Sequence, residues 1–220
     1  MNYIERANEL FGIGLSDQCL FRFFPDGENA SFTHLETMES RHRTYWDLTH
    51  KVKIYTAPYG RELCRNMQTL KNNGAPYLNK YWIDFAEDGN EFFFHYHMVP
   101  GKDMLFDLID DFSVDRAVSF IRAAYDNIEN NMMATIGDKF LIAHDYKLFN
   151  IIEYGSDVMC FDYDRFSLVD SPLMLYEEFW HKVAIDDLGA ATLNIAPDVQ
   201  KQILDVFQDE RNDRISKLSL

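Results

Sequence analysis

Residues 144–164 constrain the fold of this chain more than any other stretch. They read His144-Asp145-Tyr146-Lys147-Leu148-Phe149-Asn150, then two apolar runs, then Phe161-Asp162-Tyr163-Asp164. Ile151-Ile152 opens the first apolar run, and Val158-Met159-Cys160-Phe161 reads as a short buried strand. Between them, Tyr154-Gly155-Ser156-Asp157 suits a hairpin turn, because Gly and Asp tolerate turn backbone angles. The stretch therefore predicts a polar loop, a hairpin and a second polar loop.

The polar residues of those loops are spaced for one kind of chemistry. Lys147 falls two residues after Asp145, Asn150 five after it, and Asp162 twelve after Asn150. Metal-assisted phosphoryl transfer needs that order: a carboxylate to orient the nucleophile, a cation to neutralise the moving group, and an amide and a carboxylate to hold magnesium. The stretch resembles the catalytic and magnesium-binding loops of the protein-kinase-like superfamily, His-Arg-Asp-x-Lys-x-x-Asn followed by Asp-Phe-Gly. The resemblance implies Asp145 as the catalytic carboxylate and Lys147 beside the transferred phosphoryl group. Asn150 and Asp162 become the ligands of magnesium or manganese. Three positions depart from the pattern: Ala143 stands at the family's His, His144 at its Arg, and Asp164 at the Gly of the metal loop.

Upstream, Lys51-Val52-Lys53-Ile54-Tyr55 alternates as a strand and resembles the family's Val-Ala-Ile-Lys, with Lys53 in the slot that meets the nucleotide phosphates. A solvent-facing strand lysine is the other reading. After Pro58, residues 60–71 repeat apolar positions at Leu63, Met67 and Leu70, and Asn72-Asn73-Gly74 ends the helix. By resemblance Glu62, the helix's one carboxylate, pairs with Lys53; otherwise it is a helix-start carboxylate favoured by the dipole. The phosphate-covering loop falls at 39–44, between predicted strands 32–37 and 45–48. There Ser40, Arg41 and Arg43 either cradle phosphate or form a solvated turn. Segments 81–85 and 91–98 form a hairpin, and Met98-Val99 matches the connector whose backbone meets the adenine. His95 and His97 share a strand face. With no further ligand cluster beside them in the sequence, they read as partly buried strand histidines rather than a metal site.

Segments 105–109 and 114–133 are predicted helices, the second amphipathic through Val118, Ile121, Tyr125, Ile128 and Met132. Residues 171–180 form a compact segment where ordinary protein kinases carry a long activation loop. Asp187, or its neighbour Asp186, matches the buried carboxylate that anchors the catalytic loop; an exposed helix-start pair is the alternative. The fold class implied is α+β: a bilobal protein-kinase-like fold with a small β-rich N-lobe and a reduced, mainly helical C-lobe. Its divisions are an N-terminal extension over 1–30, a nucleotide-binding lobe over 31–99 and a truncated C-lobe over 100–220.

Composition limits the partners. A formal net charge of −15 argues against nucleic acid, whose binding rests on phosphate neutralisation, and favours basic partners. No apolar run reaches the length of a membrane helix, and residues 1–10 lack a basic-then-apolar signal layout. Three widely spaced cysteines point to reduced thiols in a cytoplasm-like compartment, or a host cytosol for a secreted effector. The resemblance implies an ATP-dependent kinase with Mg2+ or Mn2+. Lys147 is typical of Ser/Thr protein kinases and tilts the acceptor towards a protein hydroxyl. The alternatives are a small-molecule kinase of the lipopolysaccharide-core or aminoglycoside type, and a pseudokinase that binds nucleotide or acts as a scaffold.

Overall fold

The computed structural model describes residues 2–24, 42–75, 83–97, 101–144, 148–154, 157–160, 163, 165–188 and 195–218. The chain divides into two compact units, Met1–Val99 and Pro100–Leu220. The first holds a five-stranded antiparallel sheet, and the second is mainly helical with two three-stranded sheets.

The N-terminal sheet is ordered β1-β2-β3-β5-β4, from Leu20–Phe24, His42–Trp46, His50–Thr56, Glu91–His97 and Asp84–Asp88. Side chains alternate across a strand, so His50, Val52 and Ile54 face one side while Lys51, Lys53 and Tyr55 face the other. Both faces are covered, which is why Val52, Lys53, Ile54 and Tyr55 are all buried in succession. Helix α1 (Tyr3–Phe11) closes the first face, packing Tyr3, Ile4, Leu10 and Phe11 on Val52, Ile54 and Phe93. The Asn2 side chain caps its start, and Gly12, at φ +64, ends it. Arg6 grips both carboxylate oxygens of Asp88 at 2.7 and 3.1 Å, and the Tyr3 hydroxyl donates to Glu91 at 2.9 Å. The opening residues thus pack as a layer of this unit.

Helix α2 (Ala57–Asn72) leaves β3 without an intervening loop, with a proline in its first turn. It covers the second face. Tyr59 stacks on Tyr55 at 5.4 Å, and Leu63, Met67 and Leu70 are buried, the stripe the sequence predicts. Strands β4 and β5 turn through Gly89-Asn90, with Gly89 at φ +63.

The second unit opens with β6 (Lys102–Asp103) and helices α3 (Met104–Asp110) and α4 (Val114–Asn131). Ser113 caps α4 by accepting from the Arg116 amide. Asn127 and Asn131, buried on α4, fall outside its apolar pattern; the Asn127 amide donates to the Val158 carbonyl at 2.5 Å. Strands β7 (Met133–Ile136), β8 (Lys139–Ala143) and β11 (Phe166–Val169) form one sheet in the order β11-β8-β7. Strands β9 (Ile151–Tyr154) and β10 (Asp157–Cys160) join β6 in the other. Helix α5 (Leu173–His181) continues through Lys182–Asp187 in wider, π-helical winding, and α6 (Pro197–Lys217) follows. Tyr125, Phe179 and Phe207, their ring centres 4.9–5.1 Å apart, tie α4, α5 and α6 together. Arg214 sits over the Tyr125 ring and pairs with Asp126, Glu129 and Glu210 at 2.7–2.9 Å. Among the described residues no helix is long and apolar enough to cross a membrane.

Gly60 fixes how closely α2 approaches β5. A Cβ there would lie 2.3 Å from the Cβ of Phe92, an atom with no torsional freedom to retreat. Helix propensity favours alanine over glycine by about 1 kcal/mol, whereas overpacking costs about 1–3 kcal/mol. Gly60→Ala should therefore lower the thermal midpoint, by ~2–4 °C per kcal/mol lost. A melt followed by circular dichroism decides it, and a midpoint above wild type would mean that α2 is not seated this closely.

Candidate functional site

The two predicted loops are framed by strand pairing. Strand β8 pairs antiparallel with β11, Ala143 opposite Phe166, and the His144 amide extends the ladder to the Arg165 carbonyl at 2.8 Å. The hairpin β9–β10 pairs Ile151 with Cys160, so the segments before Ile151 and after Cys160 leave it at the same end. The chain thus runs strand, polar loop, hairpin, polar loop, strand, and the last strand returns to the first. With the five-stranded N-terminal sheet, its buried β3 lysine and the helix that follows β3 directly, this is a recognised order. The fold is protein-kinase-like.

Side chains reinforce the frame at His144. The imidazole is buried, with Nδ1 against the Glu178 carboxylate of α5 and Nε2 2.5 Å from the Ser167 hydroxyl of β11. An ionised carboxylate only accepts, so Nδ1 donates to Glu178, and Nε2 shares a hydrogen bond with Ser167. One residue before Asp145, the chain is therefore fastened to the strand that leaves the second loop and to the following helix. The sequence shows His144 only as a departure from the family's Arg. Its partners lie 23 and 34 residues away and carry no local signal. Asn150 ends a 3-10 turn, Leu148–Asn150, and is half-buried directly before β9. Asp145, Lys147 and Asp162 lie outside the described residues, as does the side chain of Asp187.

In the N-terminal unit, Lys53 stands on β3 and is 2% exposed. The solvent-facing alternative is thereby removed. Its cross-strand partners are Thr44 and Phe94, and its ammonium lies 5.7 Å from the centre of the Tyr96 ring. Thr44, on the same face, is also buried, and its hydroxyl makes no hydrogen bond. Both groups therefore give up water on burial.

Two expectations need correction. Glu62 pairs with Arg65, one turn along α2, and among the described residues no ion pair joins it to Lys53. The helix-start reading fails as well, because α2 begins at Ala57 and Glu62 lies beyond its first turn. Arg43 lies within β2, not in a loop, because residues 42–46 complete the alternation that pairs with β3. Its guanidinium sits 4.9 Å over the Tyr3 ring and 3.7 Å from Glu91 on the α1 face, opposite Lys53. Ser40, Arg41, Met98 and Val99 lie outside the described residues. The fold also gives His95 and His97 a neighbour that the sequence does not suggest: His50 is paired opposite His97. Burial, then the adjoining His97 and His50, push the His95 pKa down to about 4, so its ring is neutral at neutral pH.

No family model matches the chain, and no curated protein matches it. Several solved structures do at low identity. The crystal structure of monomeric WbdD is 14% identical with a TM-score of 0.38, over 86% of this chain and 48% of that one. An aminoglycoside-3'-phosphotransferase of type VIII is 12% identical with a TM-score of 0.45, over 96% and 93%. The spectinomycin phosphotransferase APH(9)-Ia is 10% identical with a TM-score of 0.40, over 95% and 83%. The chain spans about half the length of the WbdD structures it matches. Likenesses this distant say nothing about activity.

The His144 network yields a stability test. Removing a buried, charge-assisted pair costs about 1.5–3 kcal/mol, with a cavity contribution in addition. His144→Ala should lose about 3 kcal/mol or more in urea unfolding, and Ser167→Ala about 1 kcal/mol. A double variant should lose less than the sum, because both changes remove the same bond. Strict additivity would mean that the two side chains do not interact.

Proposed function

We propose that this chain is an ATP-dependent phosphotransferase, and one observation carries the reading. The strand pairing that fastens His144 to β11 frames both loops whose sequence supplies Asp145, Lys147, Asn150 and Asp162. In this reading Lys53 meets the nucleotide phosphates, with Thr44 beside it as a further polar contact. Asn150 and Asp162 supply the amide and carboxylate oxygens that suit Mg2+ or Mn2+, and the metal would neutralise charge on the phosphates. Asp145 accepts the hydrogen bond of the acceptor hydroxyl and aims its oxygen at the γ-phosphorus. Lys147 offsets charge on the transferred group, and Asp187 anchors the loop.

The acceptor we propose is a small-molecule hydroxyl. Lys147 tilts the sequence towards a protein acceptor, but the chain has only Asp170, Ser171 and Pro172 between β11 and α5. A segment that short offers little backbone along which an extended peptide can lie. WbdD is described as a bifunctional kinase-methyltransferase, and two more of the matching structures are aminoglycoside and spectinomycin phosphotransferases. Aminoglycosides and oligosaccharides therefore belong in the acceptor panel beside a protein extract.

Transfer from γ-labelled ATP with Mg2+ tests the reading. Asp145→Asn should lower turnover by about 10²-fold or more while leaving nucleotide affinity nearly unchanged, since it removes only the proton acceptor. Asp162→Ala and Asn150→Ala should instead reduce the stabilisation that ATP with Mg2+ gives in a thermal melt. Full activity in Asp145→Asn would show that the catalytic carboxylate lies elsewhere. Nucleotide binding without transfer to any acceptor in the panel would favour a pseudokinase.

A further inference from the structure

The geometry points to a second metal site, of the zinc class, built from His50, His95 and His97 on the sheet face opposite Lys53. One nitrogen from each ring lies within 4.8 Å of the others. The closest pair is His50 Nδ1 and His95 Nε2, 3.0 Å apart. Two imidazole nitrogens bound tetrahedrally to one Zn2+ at ~2.0–2.1 Å stand about 3.3 Å apart, so this pair is already near ligand spacing. His97 closes the set by side-chain rotation, because it sits at the end of β5 and its side chain is 66% exposed.

The far side of His95 completes the arrangement. Its Nδ1 is buried, makes no hydrogen bond, and lies 3.7 Å from Asp84 Oδ2 on the neighbouring strand. A metal-bound imidazole characteristically donates its other N–H to a carboxylate, which fixes the tautomer and strengthens the ligand. With Nε2 on a metal, His95 Nδ1 carries its proton and faces that carboxylate. The Phe11 ring of α1, 5.4 Å from the His95 ring, covers the buried side. Three imidazoles, one of them backed by a carboxylate, suit Zn2+, Co2+, Ni2+ or Cu2+, and not Mg2+, which prefers oxygen donors. The fourth position is open to water beside His97. Such an ion would cross-link the start of β3 to the end of β5, with His50 three residues before Lys53 and His95 one residue after Phe94, the partner of Lys53.

This site is independent of the phosphotransfer reading, and its test keeps the two apart. Tag-free full-length protein, stripped with chelator, is titrated with ZnCl2 by calorimetry, and with Co2+ by visible absorption. The expectation is one Zn2+ per chain, a raised melting midpoint and the intense visible bands of tetrahedral, nitrogen-bound Co2+. His97→Gln and His50→Gln should each weaken Zn2+ binding by about 100-fold, and Asp84→Asn by ~10–100-fold. Asn150→Ala should leave Zn2+ binding unchanged. His97 is exposed, so its variant keeps the fold and the comparison stays valid. No stoichiometric binding to the wild type overturns the proposal. So does binding that survives both histidine substitutions, which would belong to scattered surface carboxylates, or binding lost in Asn150→Ala.

Discussion

The pairing of β8 with β11 is the contact on which the layout of the second unit depends. It turns a linear order of loop, hairpin and loop into a closed frame, because the strand entering the first loop and the strand leaving the second lie side by side. His144 sits at that junction and adds two side-chain bonds to the backbone ladder. Burial makes those bonds matter more than their number suggests, since each partner left without the imidazole would keep a desolvated polar group. The strand before residue 145 and the strand from residue 166 therefore share one foundation.

The N-terminal sheet divides its labour by face. On one side α2 packs over the aromatic residues of β3 and β5, and the same side buries Lys53 with Thr44. On the other, α1 covers an apolar patch whose end is occupied by three histidines. A strand buried on both faces is normally apolar throughout, and Lys53, second of four successive buried positions, departs from that pattern.

The legible parts of the sequence were those with local periodicity. The alternation of β3, the stripe of α2 and the pairing of β9 with β10 each follow from a few neighbouring residues, and the structure shows all three. What stayed hidden depends on register. His50 and His97 become neighbours only because β3 pairs with β5, and the spacing between them in the chain holds no trace of it. The partners of His144 are hidden for the same reason. Glu62 misled in a different way: its position on α2 was right, but an arginine one turn away competes for it at short range. Arg43 looked like a loop residue because a charge run surrounds it, yet cross-strand pairing, not polarity, decides where a strand begins. The packing of α1 on the sheet was likewise hidden, because its partners Val52, Ile54 and Phe93 lie far along the chain.

Gly101 carries a consequence for sequence drift. A Cβ at that position would lie 2.3 Å from the Ile152 side chain on β9, in the strand that begins directly after Asn150. The backbone at 102–103 also pairs with Ile152 and Glu153, so the strand has little room to yield. Codon changes at residue 101 are thus filtered by the hairpin, not by the chain's own flexibility, which is unusual for an exposed loop position. Shortening Ile152 would remove the nearest atom but leave its Cβ 2.8 Å away, so a larger residue at 101 also requires the backbone to shift.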